Sequence, residues 1–284
     1  MCSIGHRTGL FDQMAGQTSF TSAELAEAAE LDERYVREWL SAMTAGGIVD
    51  FTPATDEAQN RFVLPAEHEM LVTRAGGPLN LAAQLQDIAL LGQVEDDVVE
   101  AFRTGSGVPY SRYPAFQALM AEKSGARFDI ALVSEMMPVI EGSTEALSQG
   151  VALADVGCGS GRALLILAEA YPASTFVGYD LSSAATAAAN AQAADQGLTN
   201  VTFEQIDAAE LVTTDHIEDR FDIVTTFDAI HDQGRPKQVL AGIRRALKPG
   251  GSYLCVEPRA ETRLEDNLGE PAAPSSTPSP PCTA

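Results

Sequence analysis

Residues 151–172, VALADVGCGSGRALLILAEAYP, limit what this chain can fold into more than any other stretch. Residues 151–156 form a short apolar run rich in β-formers, the pattern of a buried parallel strand. GCGSG follows at once. Leu164, Leu165, Leu167 and Ala168 then fall at helical spacing. Strand, glycine turn and helix in that order open a nucleotide-binding α/β unit. Gly157, Gly159 and Gly161 let the backbone turn sharply and approach a ligand closely, where a Cβ would clash. The N–H groups at the helix start then face that ligand.

The ligand is narrowed by what stands around the glycines. A dinucleotide fingerprint is GxGxxG; here the spacing is GxGxG, and Arg162 occupies the place of the last glycine. Asp155 sits two residues before the first glycine, where a carboxylate suits a cation or amine better than a pyrophosphate. The next strand, residues 175–180, ends on Asp180, where an acid can take both hydroxyls of a ribose. DVGCGSG, followed at the right distance by GYD, resembles the class I S-adenosylmethionine-dependent methyltransferases. That resemblance implies S-adenosyl-L-methionine as cofactor, held by Asp155, Gly157, Cys158, Gly159, Gly161, Asp180 and Leu181. It also implies an adenine contact at Asp207 and Ala208, although a helix N-cap is the plain alternative for Asp207. An oxidoreductase is disfavoured by the missing glycine and by Asp155.

A chain of 284 residues with 45% hydrophobic content can bury a real core in one large or two small domains. No apolar run approaches the roughly 18 residues of a membrane helix. No basic-then-apolar leader follows Met1, so a cytoplasmic location is expected. Cys2, Cys158, Cys255 and Cys282 show no CxxC spacing, and the four histidines are scattered, so no metal site is expected. The formal charge is −22, with only three lysines, Lys123, Lys237 and Lys248. Such a surface repels nucleic-acid phosphates and anionic lipids, which argues against a nucleic-acid or membrane partner.

Residues 1–75 read as helix, helix, hairpin, a winged-helix pattern. Thr21 and Glu24 have capping-box spacing. Asp32 caps a second helix with Tyr35, Val36, Trp39, Leu40 and Met43 expected on one face. Residues 48–52 and 61–64 read as two short strands. Five Arg and no Lys stand against twelve acids up to Ala75, which opposes DNA binding. A dimerisation or substrate-lid module is the better reading, and a homodimer through this domain is expected. HRTGLFDQMA, ELAEAAELDERYVREWLSAMTAGGIV and the later AIHDQ resemble one bacterial and archaeal methyltransferase subfamily with this layout, whose chains usually begin one helix earlier.

Residues 76–145 read as a helical linker. Leu79, Leu81, Leu85, Ile88, Leu91, Val94, Val98 and Phe102 predict one long amphipathic helix packed on a core. In the resembling enzymes the segment around Tyr110 and Tyr113 crosses the cofactor. These tyrosines are therefore implied to cover its methionine part, with interface packing as the alternative. A helix over 126–140 leads into residues 146–258, the cofactor-binding domain.

There strands 201–206, 221–226 and 252–256 continue an alternating α/β order. Phe227, Asp228, Ala229, Ile230, His231 and Asp232 leave the carboxyl end of the fourth strand, where ligands of open α/β sheets bind. An imidazole titrates near neutrality, so His231 is the candidate base, with Asp232 or Asp228 orienting it. Plant-type O-methyltransferases carry a His-Asp pair after the same strand, which supports this by resemblance.

The fold expected is α/β: a Rossmann-like, doubly wound, mostly parallel sheet behind an N-terminal, mainly helical winged-helix domain. A complete class I domain has seven strands. Residues 259–284 offer no further strand and read as a Pro/Ser/Thr-rich disordered tail, so the sheet is expected to be incomplete at its C-terminal edge. The function expected is methyl transfer to a small-molecule hydroxyl or amine. The alternative is a catalytically impaired or non-catalytic S-adenosylmethionine-binding protein, either a regulator or a truncated gene product.

Overall fold

A computed structural model describes residues 1–16, 19–113, 116–259, 261 and 263–268. They divide into two compact units, Met1–Gln93 and Val94–Ala284. Most of the expected tail lies outside the described residues.

The first unit opens with α1 (Cys2–Thr8), α2 (Leu10–Met14), α3 (Ser22–Ala28) and α4 (Glu33–Ala45). The capping box forms as expected: Glu24 N–H donates to Thr21 Oγ1 at 3.2 Å, and Thr21 N–H to Glu24 Oε2 at 2.8 Å. Asp32 accepts from Arg34 N–H at 3.1 Å and starts α4. Val36, Trp39, Leu40 and Met43 are buried, but Tyr35 is 77% exposed. It stands one residue off the 36-39-40-43 ladder and so points about 100° away from it. Trp39 lies edge-on to Phe11, with ring centroids 4.9 Å apart. A Cβ on Gly5 would come within 2.4 Å of the Trp39 ring, which fixes how closely α1 approaches α4. β1 (Asp50–Thr52) and β2 (Arg61–Val63) then pair antiparallel in the register Asp50↔Val63. They are shorter than expected. α5 (Ala66–Val72) closes this helix–helix–hairpin arrangement.

The long amphipathic helix expected from Leu79 to Phe102 does not form. A 3₁₀ turn (Arg74–Leu79) is followed by α6 (Leu81–Gln84), α7 (Gln86–Gly92) and α8 (Glu95–Thr104). Gly77 takes φ 52, Pro78 follows it, and Asn80 starts a new helix by accepting from Ala83 N–H at 3.0 Å. Of the eight apolar positions only Val94 is fully buried, whereas Leu79, Leu81, Leu85, Ile88, Leu91 and Phe102 are exposed. Core packing within the chain was therefore the wrong expectation for this stripe.

The second unit continues with a 3₁₀ turn (Tyr110–Arg112) and α9 (Phe116–Ala131). The helix expected over 126–140 is the latter part of α9. At Leu132–Met136 it widens into a π turn, and Pro138 ends the run. α10 (Ser143–Gln149) leads into the sheet. β3 (Ala152–Val156), α11 (Arg162–Ala170), β4 (Thr175–Asp180), α12 (Ser183–Asp195), β5 (Val201–Gln205), β6 (Phe221–Phe227), α13 (Pro236–Ala246) and β7 (Leu247–Val256) alternate as expected. The five strands are all parallel in the order β5-β4-β3-β6-β7. The order reverses between β3 and β6, which puts a crevice at their carboxyl ends. Among the described residues β7 is an edge strand, and its Lys248–Gly251 segment shifts the register against β6.

Alternation along the strands separates two cores. Leu153, Phe176, Phe203 and Ile223 pack toward α11 with Leu164, Leu165 and Leu167. Ala154, Val156, Val177 and Val224 face α13 with Val239 and Ile243. Each fully buried Leu contributes roughly 1.5–3 kcal/mol of transfer free energy.

Candidate active site

The glycine turn between β3 and α11 is built by β4. Gly157 and Cys158 N–H groups donate to Tyr179 O at 2.8 and 3.1 Å, and Gly159 N–H donates to Asp180 Oδ2 at 2.8 Å. Gly157, Gly159 and Gly161 have φ of 79, 52 and 76, the left-handed region that favours glycine. A second constraint comes from packing: a Cβ on Gly161 would lie 2.5 Å from the Phe203 ring. Arg162, in the place of the dinucleotide fingerprint's last glycine, donates from Nε and Nη2 to Asp129 Oδ1 of α9 at 2.9 and 2.5 Å.

Asp155 is 3% exposed, and in β3 it stands directly opposite Thr225 of β6. Thr225 Oγ1 donates to Asp155 Oδ1 at 2.7 Å. Burial pushes the carboxyl up to about 7; the Thr225 bond opposes this, and the nearby Asp180 charge adds to it. Asp180 accepts from Ser182 N–H at 2.9 Å through its other oxygen, and Leu181 beside it is exposed. Burial also pushes the Cys158 thiol up. Beyond β5, Asp207 caps the 3₁₀ turn Ala208–Thr213 by accepting from Ala209 N–H at 2.8 Å through one oxygen. Its second oxygen accepts from Arg235 Nη2 at 2.5 Å. Tyr113 is buried and its ring lies 6.0 Å from that of Phe116; the Tyr110 side chain lies outside the described residues.

At the end of β6 the loop is held by a residue that the sequence reading missed. Glu257, one residue past β7, accepts from Ile230 N–H at 2.7 Å and Ala229 N–H at 3.2 Å through Oε1. Its Oε2 pairs with His231 Nδ1. Asp232 Oδ1 lies 3.5 Å from His231 Nε2, and 30% of the His231 side chain is exposed. Asp228, the other expected partner, instead pairs with Arg127 of α9 at 2.5 Å. The bond to Glu257 holds His231 protonated to higher pH than an ordinary histidine. Burial opposes this, and Asp232 and Asp228 add to it. Burial pushes the Glu257 carboxyl up, but the bonds from His231 and Ile230 outweigh it and leave it below the usual range.

The same rule that singled out His231, function beyond the carboxyl end of a strand, applies equally to Glu257. Arg127 lies about a hundred residues from its partner and leaves no local signal. Among the described residues no group of three or more His, Cys, Asp or Glu is arranged to hold a metal ion.

A parallel sheet in this order, with a glycine turn after its first strand and an acid at the end of the second, defines the class I methyltransferase fold. Residues 147–276 match the family described as Methyltransferase domain, and residues 1–74 match the Rv2258c-like winged HTH domain. A winged HTH domain followed by a methyltransferase domain is the layout of class I S-adenosylmethionine-dependent methyltransferases with an N-terminal winged helix, and the chain is consistent with that family. It is 32% identical to an arsenite methyltransferase of Aquipseudomonas alcaligenes over 43% of its own length. It spans only 37% of that curated relative. Human N-acetylserotonin methyltransferase, solved in complex with SAM, shares the fold at TM-score 0.64 and 15% identity, over 95% of this chain and 78% of that one. An O-methyltransferase family protein from Burkholderia thailandensis matches at TM-score 0.60 and 20% identity, over 96% and 79%.

Proposed function

We propose that this protein transfers a methyl group from S-adenosyl-L-methionine to a hydroxyl or amine of a small molecule, with His231 as general base. The observation that carries the reading is the His231–Glu257 pair, set on the same sheet end as the glycine turn and Asp180. A sulfonium methyl is already activated, so the protein's work is alignment and proton removal. Glu257 fixes the ring through Nδ1, and Nε2, with Asp232 Oδ1 3.5 Å away, is the atom that takes the acceptor's proton. Asp180 is the proposed ribose ligand and Asp155 the proposed partner of the cofactor's amine. Asp207 and the Ala208 N–H are the proposed adenine contacts, with Arg235 yielding its hold on Asp207. The SAM-bound human neighbour supports the cofactor assignment.

A homodimer through the first unit is part of the same reading. An apolar groove of about 210 Å³, lined by Ile48, Leu71, Val72, Leu81, Ala82 and Leu85, supports it, as does the exposed stripe beyond. No helix among the described residues is long and apolar enough to cross a membrane, and a cytoplasmic location is proposed.

The test is calorimetric titration with S-adenosylmethionine and with NAD, followed by turnover on a panel of hydroxyl- and amine-bearing metabolites. Binding of the first ligand alone is expected. His231→Gln should lower turnover by about 10²-fold or more while leaving cofactor affinity unchanged. Wild-type turnover in that variant would remove the base role. Light scattering of the full chain should give twice the monomer mass; a monomer mass would remove the dimer.

A further inference from the structure

One turn of α9 reaches both loops of the site. Arg127 Nη2 donates to Asp228 Oδ2, in the first residue past β6, at 2.5 Å. Phe128 meets Phe227, the last residue of β6, edge-on with centroids 5.0 Å apart. Asp129 accepts from Arg162, the first residue of α11, at 2.9 and 2.5 Å. Three successive residues of one helix thus brace the catalytic loop and the cofactor turn together. Asp228 itself is held in left-handed backbone, φ 51, and its N–H donates to Val256 O at 2.8 Å. A non-glycine residue persists there only when its surroundings over-determine it. Its backbone bond and its Arg127 bond are what fix it.

The groups facing His231 explain why that matters. Glu257 comes from the end of β7, Asp232 and Asp228 from its own loop, and Arg127 from α9 behind Asp228. Three carboxylates therefore surround one imidazole: Glu257 bonds Nδ1, Asp232 Oδ1 lies 3.5 Å from Nε2, and Asp228 is turned to Arg127.

We propose that Arg127 is a positioning residue for His231: it neutralises and anchors Asp228, so that the imidazole is left to Glu257. The proposal rests on the reading of His231 as base and adds the helix that sets its orientation and charge. Without the guanidinium, Asp228 carries an uncompensated charge next to the catalytic loop. It then draws the proton more firmly onto His231 and competes with Glu257 for the ring.

The test follows the His231 imidazole by NMR titration of the ¹³C-labelled full chain, its signal assigned by its loss in His231→Gln. Arg127→Gln should raise the His231 midpoint by about half a pH unit or more, and Asp228→Asn should lower it by a similar shift. The double variant Arg127→Gln/Asp228→Asn should return close to the wild-type midpoint. Calorimetry with S-adenosylhomocysteine should find its affinity unchanged within about twofold in all three. A midpoint that stays put in Arg127→Gln, or a double variant that fails to return, overturns the proposal. If Arg127→Gln does not fold, Arg127→Lys and Asp228→Asn carry the test: Lys keeps the midpoint, Asn lowers it, and an unmoved Asn variant overturns the proposal. These outcomes are separate from the base role, which stands or falls on turnover in His231→Gln.

Discussion

The two ends of the parallel sheet are made of the same residue types and use them differently. At the amino ends every polar group named here is matched within the chain. Asp222 accepts from Ala152 N–H at 2.9 Å and from Lys248 Nζ at 2.8 Å. Ser174 donates to Leu147 O at 2.6 Å and accepts from Val151 N–H at 3.0 Å. Asn200 Nδ2 reaches three carbonyls, Ala168, Tyr171 and Ser174. Left-handed backbone occurs at both ends, at Gly150, Gly197 and Asp219 before strands and at Gly157, Gly159, Gly161 and Asp228 beyond them, so the contrast lies in the charge. At the carboxyl ends Asp155 is buried against a single hydroxyl, and three carboxylates crowd one histidine. Carboxylates held without a cation gather at the end where the cofactor site is proposed; the other end only has to hold strands together.

Removing a buried charge from the carboxyl end should have the largest effect. Asp155 holds its proton to about pH 7, well above its ordinary value of 3.8. As pH rises, the unfolded chain releases that proton first. Stability is therefore lost between about pH 4 and pH 7 and stays lost above. Asp155→Asn should be more stable than wild type at pH 8, on the order of 2–4 kcal/mol, and no more stable at pH 3. Urea midpoints at both pH values measure this, and equal midpoints at pH 8 would break the contrast between the two ends.

Glu257→Gln comes next, with a turnover loss of about 10- to 100-fold. His231 should also titrate lower than in wild type, because the carboxylate that raises it is gone. Above its folded pKa the wild-type imidazole is free to act as base. The acid limb of turnover should therefore lie above the ordinary histidine range in wild type and move down in the variant. At the amino ends, Ser174→Ala should cost about 1–3 kcal/mol of stability and leave S-adenosylmethionine affinity untouched, read by paired urea and calorimetric titrations. The smallest change belongs to Lys248→Met. Its partly exposed pair with Asp222 is worth about 0–1 kcal/mol and should fade in high salt.

Much of this site was legible because its signals are local. The glycine turn, Asp180 and the loop carrying His231 follow from strand ends and turn residues read directly off the chain, while at Asp207 the cap was only the alternative to an adenine contact. Asp232 does lie beside His231, but the further partners escaped notice for a reason of distance. Asp228 and Asp232 are neighbours of His231 in sequence, whereas Glu257 arrives from the next strand and Arg127 from a helix a hundred residues earlier. The stripe from Leu79 to Phe102 failed differently. Its apolar spacing is real, but Gly77, Pro78 and Asn80 cut the backbone into short pieces, and periodicity alone does not say whether an apolar face is covered by its own chain.

Gly157 has one further consequence. A Cβ placed there would fall 2.7 Å from the methyl of Ala229, so the turn after β3 and the loop after β6 share a partition one methyl thick. Swelling on either side is transmitted to the other. A side chain at 157 would meet both this contact and its own left-handed backbone, so Ala229→Gly should relieve only part of its cost, and an inhibitor that displaces one loop will register in the other without touching it.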